Sequence, residues 1–168
     1  MRILGIDPGY AILGWGVIEY NDSKFKVVAY DSLITDKNTS MPIRLKELYD
    51  GLTNIIEMYK PDEMAIEELY FNSNAKTAIM VGEARGIALL PAANNNIPIY
   101  EYTPLQIKQA LVGYGRAEKK QVQLMVKTML DLEKIPKPDD TADALACAIC
   151  HAHSRNAVKK ELKIRKGI

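Results

Sequence analysis

The sequence predicts an α/β domain built on one mixed β-sheet with helices on both faces. Three features lead there. The first third holds three strand-like apolar runs separated by short breaks. The middle alternates helix, strand, helix, strand. The rest is helical. Short breaks favour antiparallel pairing of consecutive strands, whereas helical crossovers bring later strands in parallel.

The elements follow in order. Residues 2–7 (RILGID) are nearly all apolar, as a buried central strand requires. Pro8-Gly9 breaks the chain, and residues 13–20 and 25–34 form the next two runs. Over 42–59, Leu45, Leu48, Leu52, Ile55, Ile56 and Tyr59 recur at three- and four-residue steps, giving a helix with one apolar face that Lys60-Pro61-Asp62 ends. Residues 63–69 read as a strand, 74–90 as a helix and 97–102 as a short strand. Three helical stretches follow at 104–112, 117–132 and 140–154, and 155–168 is a basic tail expected to fray. The folded domain is therefore expected over 1–154, with no repeat and no second domain.

Composition narrows the function. With 168 residues, 48% of them apolar and 26% charged, the chain can bury one core without metals or disulfides to staple it. This excludes disordered, collagen-like and disulfide-scaffold classes. No apolar run reaches the ~18 residues of a membrane span. Met1-Arg2 leads straight into Ile3-Leu4, so a cytoplasmic protein is expected. The net charge of +1 hides an asymmetry: residues 1–100 carry 9 basic and 13 acidic residues, and 101–168 carry 13 and 8. A basic C-terminal third fits an anionic partner or a plain solvated surface.

Cys147-Ala148-Ile149-Cys150-His151 matches the CxxCH spacing of haem attachment. It sits inside an alanine-rich helical pattern, where cysteine reads as a small core residue, and four ligands on one helix cannot converge on zinc.

The acids carry more. Asp7 ends the first strand and Glu67 stands in an apolar one. A buried carboxylate is costly unless paired or bound to a cation. Asp140 and Asp143 open the last helix at i and i+3, about 60° apart around its axis. Acids at a helix start serve as caps in any case, so capping and metal binding both remain open from spacing alone. If the four converge, hard divalent cations such as Mg²⁺ or Mn²⁺ are the fitting counter-ions. Two of them ~3.5–4 Å apart would make a phosphoryl-transfer site. Glu68 faces opposite to Glu67 on a strand, and alternation alone cannot choose between them.

Met1–Gly16 (MRILGIDPGYAILGWG), Ala65–Phe71 (AIEELYF), Gly82–Gly86 (GEARG), Gln106–Gln123 (QIKQALVGYGRAEKKQVQ) and Asp140–Ala146 (DTADALA) together resemble the RuvC family of bacterial Holliday junction resolvases, in unbroken order over about residues 2–153. The resemblance implies an RNase H-like fold with a five-stranded mixed sheet. It also implies a homodimer that nicks four-way junction DNA symmetrically, with divalent metal (two Mg²⁺ per site, Mn²⁺ able to substitute), alongside the RuvA–RuvB branch-migration machinery. It makes Asp7, Glu67, Asp140 and Asp143 the catalytic, metal-binding acids, choosing Glu67 over Glu68. It makes Lys108 and Lys119 junction contacts, and Tyr70 a stacking aromatic where many relatives carry phenylalanine. The helix at 74–90, with Gly82, Ala84, Gly86 and Ala88, fits packing on its own sheet or close approach of a second copy; the resemblance favours the second copy. The alternative is a YqgF-type RNase H-like nuclease acting on RNA.

Overall fold

The computed structural model describes the backbone of residues 1–68 and 75–165, and the side chains of 1–68 and 78–155. Strands β1 (Arg2–Asp7), β2 (Ile12–Asn21) and β3 (Lys24–Ile34) form an antiparallel meander. Helix α1 (Met41–Tyr59) then crosses to β4 (Glu63–Glu67), and α2 (Ala75–Asn94) crosses to β5 (Ile99–Tyr102). Both of these strands lie parallel to the sheet's centre: β4 pairs with β1 and β5 with β4. The order across the sheet is β3-β2-β1-β4-β5. Helices α3 (Pro104–Val112), α4 (Lys119–Met129) and α5 (Asp139–Arg165) complete the chain. The expected mixed five-stranded sheet is present.

Strand alternation sorts the side chains into two cores. Leu4, Ile6, Met64 and Ile66 point to the face covered by α1 and α2, where Leu48, Leu52, Ile55 and Ala88 meet them. Ile3, Ala65 and Tyr102 point to the other face, under α3, α4 and α5, with Ile107, Val126 and Leu145. The helix boundaries have local causes. Pro42 lies in the first turn of α1, and Lys60 in the left-handed region ends it just before Pro61. Thr103 caps α3 through a capping box with Gln106, and Gly113 (φ +90°) ends that helix.

Some boundaries differ from the sequence reading. Helix α4 starts later, at Lys119, because Glu118 and Gln121 form a capping box there. Helix α2 runs past 90 to Asn94 with Pro91 inside it. Helix α5 continues past 154 to Arg165 through a segment rich in the helix formers Ala, Lys, Glu, Leu and Arg.

Helix α5 lies on β1 and β2 at a separation that only glycine permits. A Cβ on Gly5 would stand 2.1 Å from the Ala144 carbonyl oxygen, and one on Gly14 would stand 2.0 Å from that of Asp140. Further along α5, the buried His151 ring ties the helix to β4 and β5. Its Nε2 lies 2.7 Å from Glu63 Oε2, its Nδ1 lies 2.7 Å from the Tyr102 hydroxyl, and Tyr100 stacks on it at 4.4 Å. Arg155 also donates to Glu63, at 3.1 Å. Close contact at one end and a polar anchor at the other set the axial register of α5, and with it the position of its first turn.

Candidate active site

Asp7 and Glu67 are the last residues of two adjacent parallel strands. The β1–β4 register pairs Ile6 with Ile66, so the next residues, Asp7 and Glu67, come side by side. Both fall on the α5 face, in phase with Ile3 and Ala65. Glu68 alternates away from them and is exposed. Its backbone N–H donates to the Tyr102 carbonyl at 2.8 Å.

Asp140 and Asp143 arrive from above, in the first turns of α5, where Gly14 lets the helix start close to the sheet. A cavity of about 190 Å³ opens beside them, lined by Glu67, Asp143, Lys108 and Lys119 over an apolar floor that includes Ile107, Val122 and Ala146. Lys108 lies on α3 and Lys119 is the first residue of α4.

The charges here are mutually unfavourable. Burial, then repulsion from Glu67, Asp143 and Asp140, pushes the Asp7 carboxyl well above the usual carboxylate range, and Lys119 offsets this only in part. Burial and the Asp143 charge raise Glu67 as well, although a hydrogen bond from Asp7 pulls the other way. Burial raises Asp143 despite its hydrogen bond to Lys119. The Lys119 ammonium lies 2.9 Å from Asp143 Oδ2. Partial burial lowers its pKa, but the bond to Asp143 and the charge of that acid outweigh burial and raise it.

A site with several carboxyls raised by burial and by one another calls for positive charge. All-oxygen donors are the set that hard divalent ions prefer. The residues therefore fit a divalent metal. Among the described residues, no three of the acids already stand in an ion-gripping arrangement; Lys119 lies against Asp143 instead.

The expected site residues fall as follows. Asp7, Glu67, Asp140 and Asp143 gather at one end of the sheet with Lys119, and Lys108 lines the same cavity. Tyr70 lies outside the described residues. The CxxCH residues are elsewhere: Cys147 and Cys150 are fully buried in the α5-side core, with the Cys150 thiol pushed up to about 12, and His151 belongs to the Glu63 anchor. Two features escaped the sequence reading. Gly5 and Gly14 seat α5, which the alternation Gly5-x-Asp7 opposite the small Ala144 and Ala148 could have signalled. Asp139 adds a further acid, paired with Lys119 at 3.5 Å and Lys137 at 2.6 Å; the Asp139-Asp140 doublet was its only trace.

A mixed sheet with carboxylates on adjacent central strands, faced by acids from the final helix, defines a metal-dependent nuclease of the RNase H-like class. The model of the crossover junction endodeoxyribonuclease RuvC family matches residues 3–151. This chain belongs to that family. The RuvC of Desulforamulus reducens is 62% identical over 152 residues, covering 90% of this chain and 93% of that protein. The RuvC of Caldanaerobacter subterraneus subsp. tengcongensis is 58% identical over 160 residues, covering 95% and 97%. The structure of Thermus thermophilus RuvC in complex with Holliday junction substrate superposes with a TM-score of 0.86 at 32% identity, covering 94% of this chain and 96% of that one. The RNA-cutting alternative is not favoured by these matches.

Proposed function

We propose that this chain is a structure-selective DNA endonuclease that resolves four-way junctions in recombination and repair by paired, symmetric nicks. The observation that carries the reading is the placement of Asp7 and Glu67 side by side at the ends of β1 and β4, facing Asp143 and Asp140, in a chain that matches RuvC along nearly its whole length. The test is incubation with a synthetic four-way junction and Mg²⁺, with a linear duplex as control. Nicking of the junction alone is expected; equal cutting of both substrates, or of RNA alone, would refute it.

In this reading Asp7, Glu67, Asp140 and Asp143 hold two Mg²⁺ ions, with Mn²⁺ able to replace them. When bound, such ions activate the attacking water and stabilise the leaving 3′ oxygen. Asp7, on the central strand and pressed by all three other acids, would be a metal ligand together with Glu67, Asp140 and Asp143. Lys108 and Lys119, on the cavity wall, hold backbone phosphates by charge without reading bases.

Tyr70, three residues past Glu67, stacks on a base beside the scissile phosphate. Tyr70→Ala is expected to slow cleavage roughly tenfold, from the loss of about 1–3 kcal/mol of stacking at ~1.4 kcal/mol per decade. Tyr70→Phe should cut normally. A sharp fall in melting temperature with turnover of the folded fraction intact would make Tyr70 a core residue instead.

The protein acts as a homodimer through α2. Ala84, Ala88 and Ala92 of that helix are buried against the chain's own core. A different stripe carries Ile79, 64% exposed, and Leu90, 47% exposed, with Gly82 and Gly86 between them facing open space. The glycines thus serve no packing need among the described residues and leave room for a second helix. Gly86→Val is expected to keep the fold, since nothing lies within 4 Å of the added Cβ, and to shift the mass by sedimentation from a dimer to 18.8 kDa. A wild-type mass of 18.8 kDa would contradict the dimer. The cytoplasm is the expected compartment, with the RuvA–RuvB branch-migration complex as partner; among the described residues no helix is long and apolar enough to cross a membrane.

A further inference from the structure

Lys119 stands between two acids of α5, with its ammonium 2.9 Å from Asp143 Oδ2 and 3.5 Å from Asp139 Oδ2. The two acids differ in role. Asp143 belongs to the proposed metal set, lies half-buried and lines the cavity with Glu67. Asp139 lies outside that set. Its Oδ1 is taken by Lys137 Nζ at 2.6 Å, which leaves Oδ2 turned toward Lys119.

A divalent ion on the Asp143 carboxylate repels an ammonium seated 2.9 Å from its Oδ2, and an ion that takes Oδ2 also competes with it for that oxygen. Metal binding at Asp143 therefore drives Lys119 away from this acid. The displaced side chain has a second carboxylate within a fraction of its own length, already oriented by Lys137. Without it, the lysine would swing into water and regain the rotamer freedom that ordering had removed. We propose that Asp139 is a positioning residue that receives Lys119 when a divalent ion takes Asp143, keeping the ammonium at the cavity rim where a DNA phosphate would bind. Metal loading and assembly of the phosphate site then become one coupled event. This rests on the metal and phosphate roles given above for Asp143 and Lys119.

The test is a double-mutant cycle read in Ca²⁺ affinity, by calorimetry on the full-length protein without DNA, for wild type, Asp139→Asn, Lys119→Met and the double variant. Asp139 is the first residue of α5 and its side chain faces Lys137 and Lys119, so Asn removes only a favourable first-turn charge and should leave the helix in place; a melting curve on each variant checks this. With Lys119 present, Asp139→Asn is expected to weaken Ca²⁺ binding by roughly threefold or more, the range of coupling between contacting residues. With Lys119→Met in place, the same change should have much less effect, because no lysine has to be received. Equal weakening in both backgrounds would mean that Asp139 acts only as one more negative charge, and would overturn the proposal while leaving the metal site standing. A wild-type protein whose Ca²⁺ heat is absent, or unaltered by Asp7→Asn, would overturn the metal reading and the proposal together.

Discussion

Asp7→Asn is expected to lower the rate of junction cleavage by about 10³-fold or more while leaving junction binding intact. A metal-bound catalytic group supplies several kcal/mol of transition-state stabilisation, and each ~1.4 kcal/mol is a factor of ten in rate. Binding should survive because the proposed DNA contacts are Lys108 and Lys119 rather than the acids. Glu67→Gln should behave alike, since Glu67 shares the same end of the sheet. A gel-shift titration beside single-turnover cleavage checks both, and near-normal turnover in either variant would refute the assignment.

The same substitution has a second expected signature in stability. Asp7 titrates above its ordinary value because burial and its acidic neighbours oppose its charge. The metal-free folded state therefore holds more protons than the unfolded state between the ordinary and the raised value. Stability must then fall as pH rises through that window. Asp7→Asn removes the penalty, so the metal-free variant should melt above wild type at neutral pH, and the gap should close in acid, below the ordinary aspartate pKa. A variant with lower melting temperature at pH 7 would mean that the Asp7 carboxylate is a stabilising group.

Gly14→Ala is the second large effect. The added Cβ would lie 2.0 Å from the Asp140 carbonyl oxygen and 2.8 Å from the Thr141 nitrogen, both backbone atoms that cannot rotate away. The first turn of α5 has to lift off β2. Overpacking of this kind costs about 1–3 kcal/mol, occasionally more. The displaced turn is the one that carries Asp140 and Asp143, so cleavage by the folded fraction should fall further than the folded population does. A melting temperature and a cleavage rate both within error of wild type would show that α5 does not depend on this contact.

The legible and illegible parts of the molecule divide along a physical line. Local signals were clear where one element decides its own conformation. The apolar stripe of α1 and its Lys60-Pro61 stop, the buried run of β1, and the order that makes the sheet mixed are all plain in the sequence and present in the structure. Boundaries set by side-chain capping were less legible, as at Glu118, where a reciprocal bond with Gln121 delays α4 by two residues. Contacts between distant segments left almost no trace. The small residues at Gly5, Gly14, Ala144 and Ala148 fit a close approach without showing that these segments meet each other, and CxxCH spacing gives no sign that His151 will reach Glu63. The choice between Glu67 and Glu68 illustrates the same limit. Alternation says that they oppose each other, and only the pairing of β4 with β1 places Glu67 on the side of Asp7.

The proposed site stands on Asp7, Glu67, Asp140 and Asp143 holding divalent ions together. Anomalous diffraction from crystals soaked in Mn²⁺ tests it directly. The expected result is manganese density between Asp7, Glu67 and the acids of α5, with Lys119 moved off Asp143, and loss of that density in Asp7→Asn. Manganese bound elsewhere, with Lys119 still seated on Asp143, would contradict it.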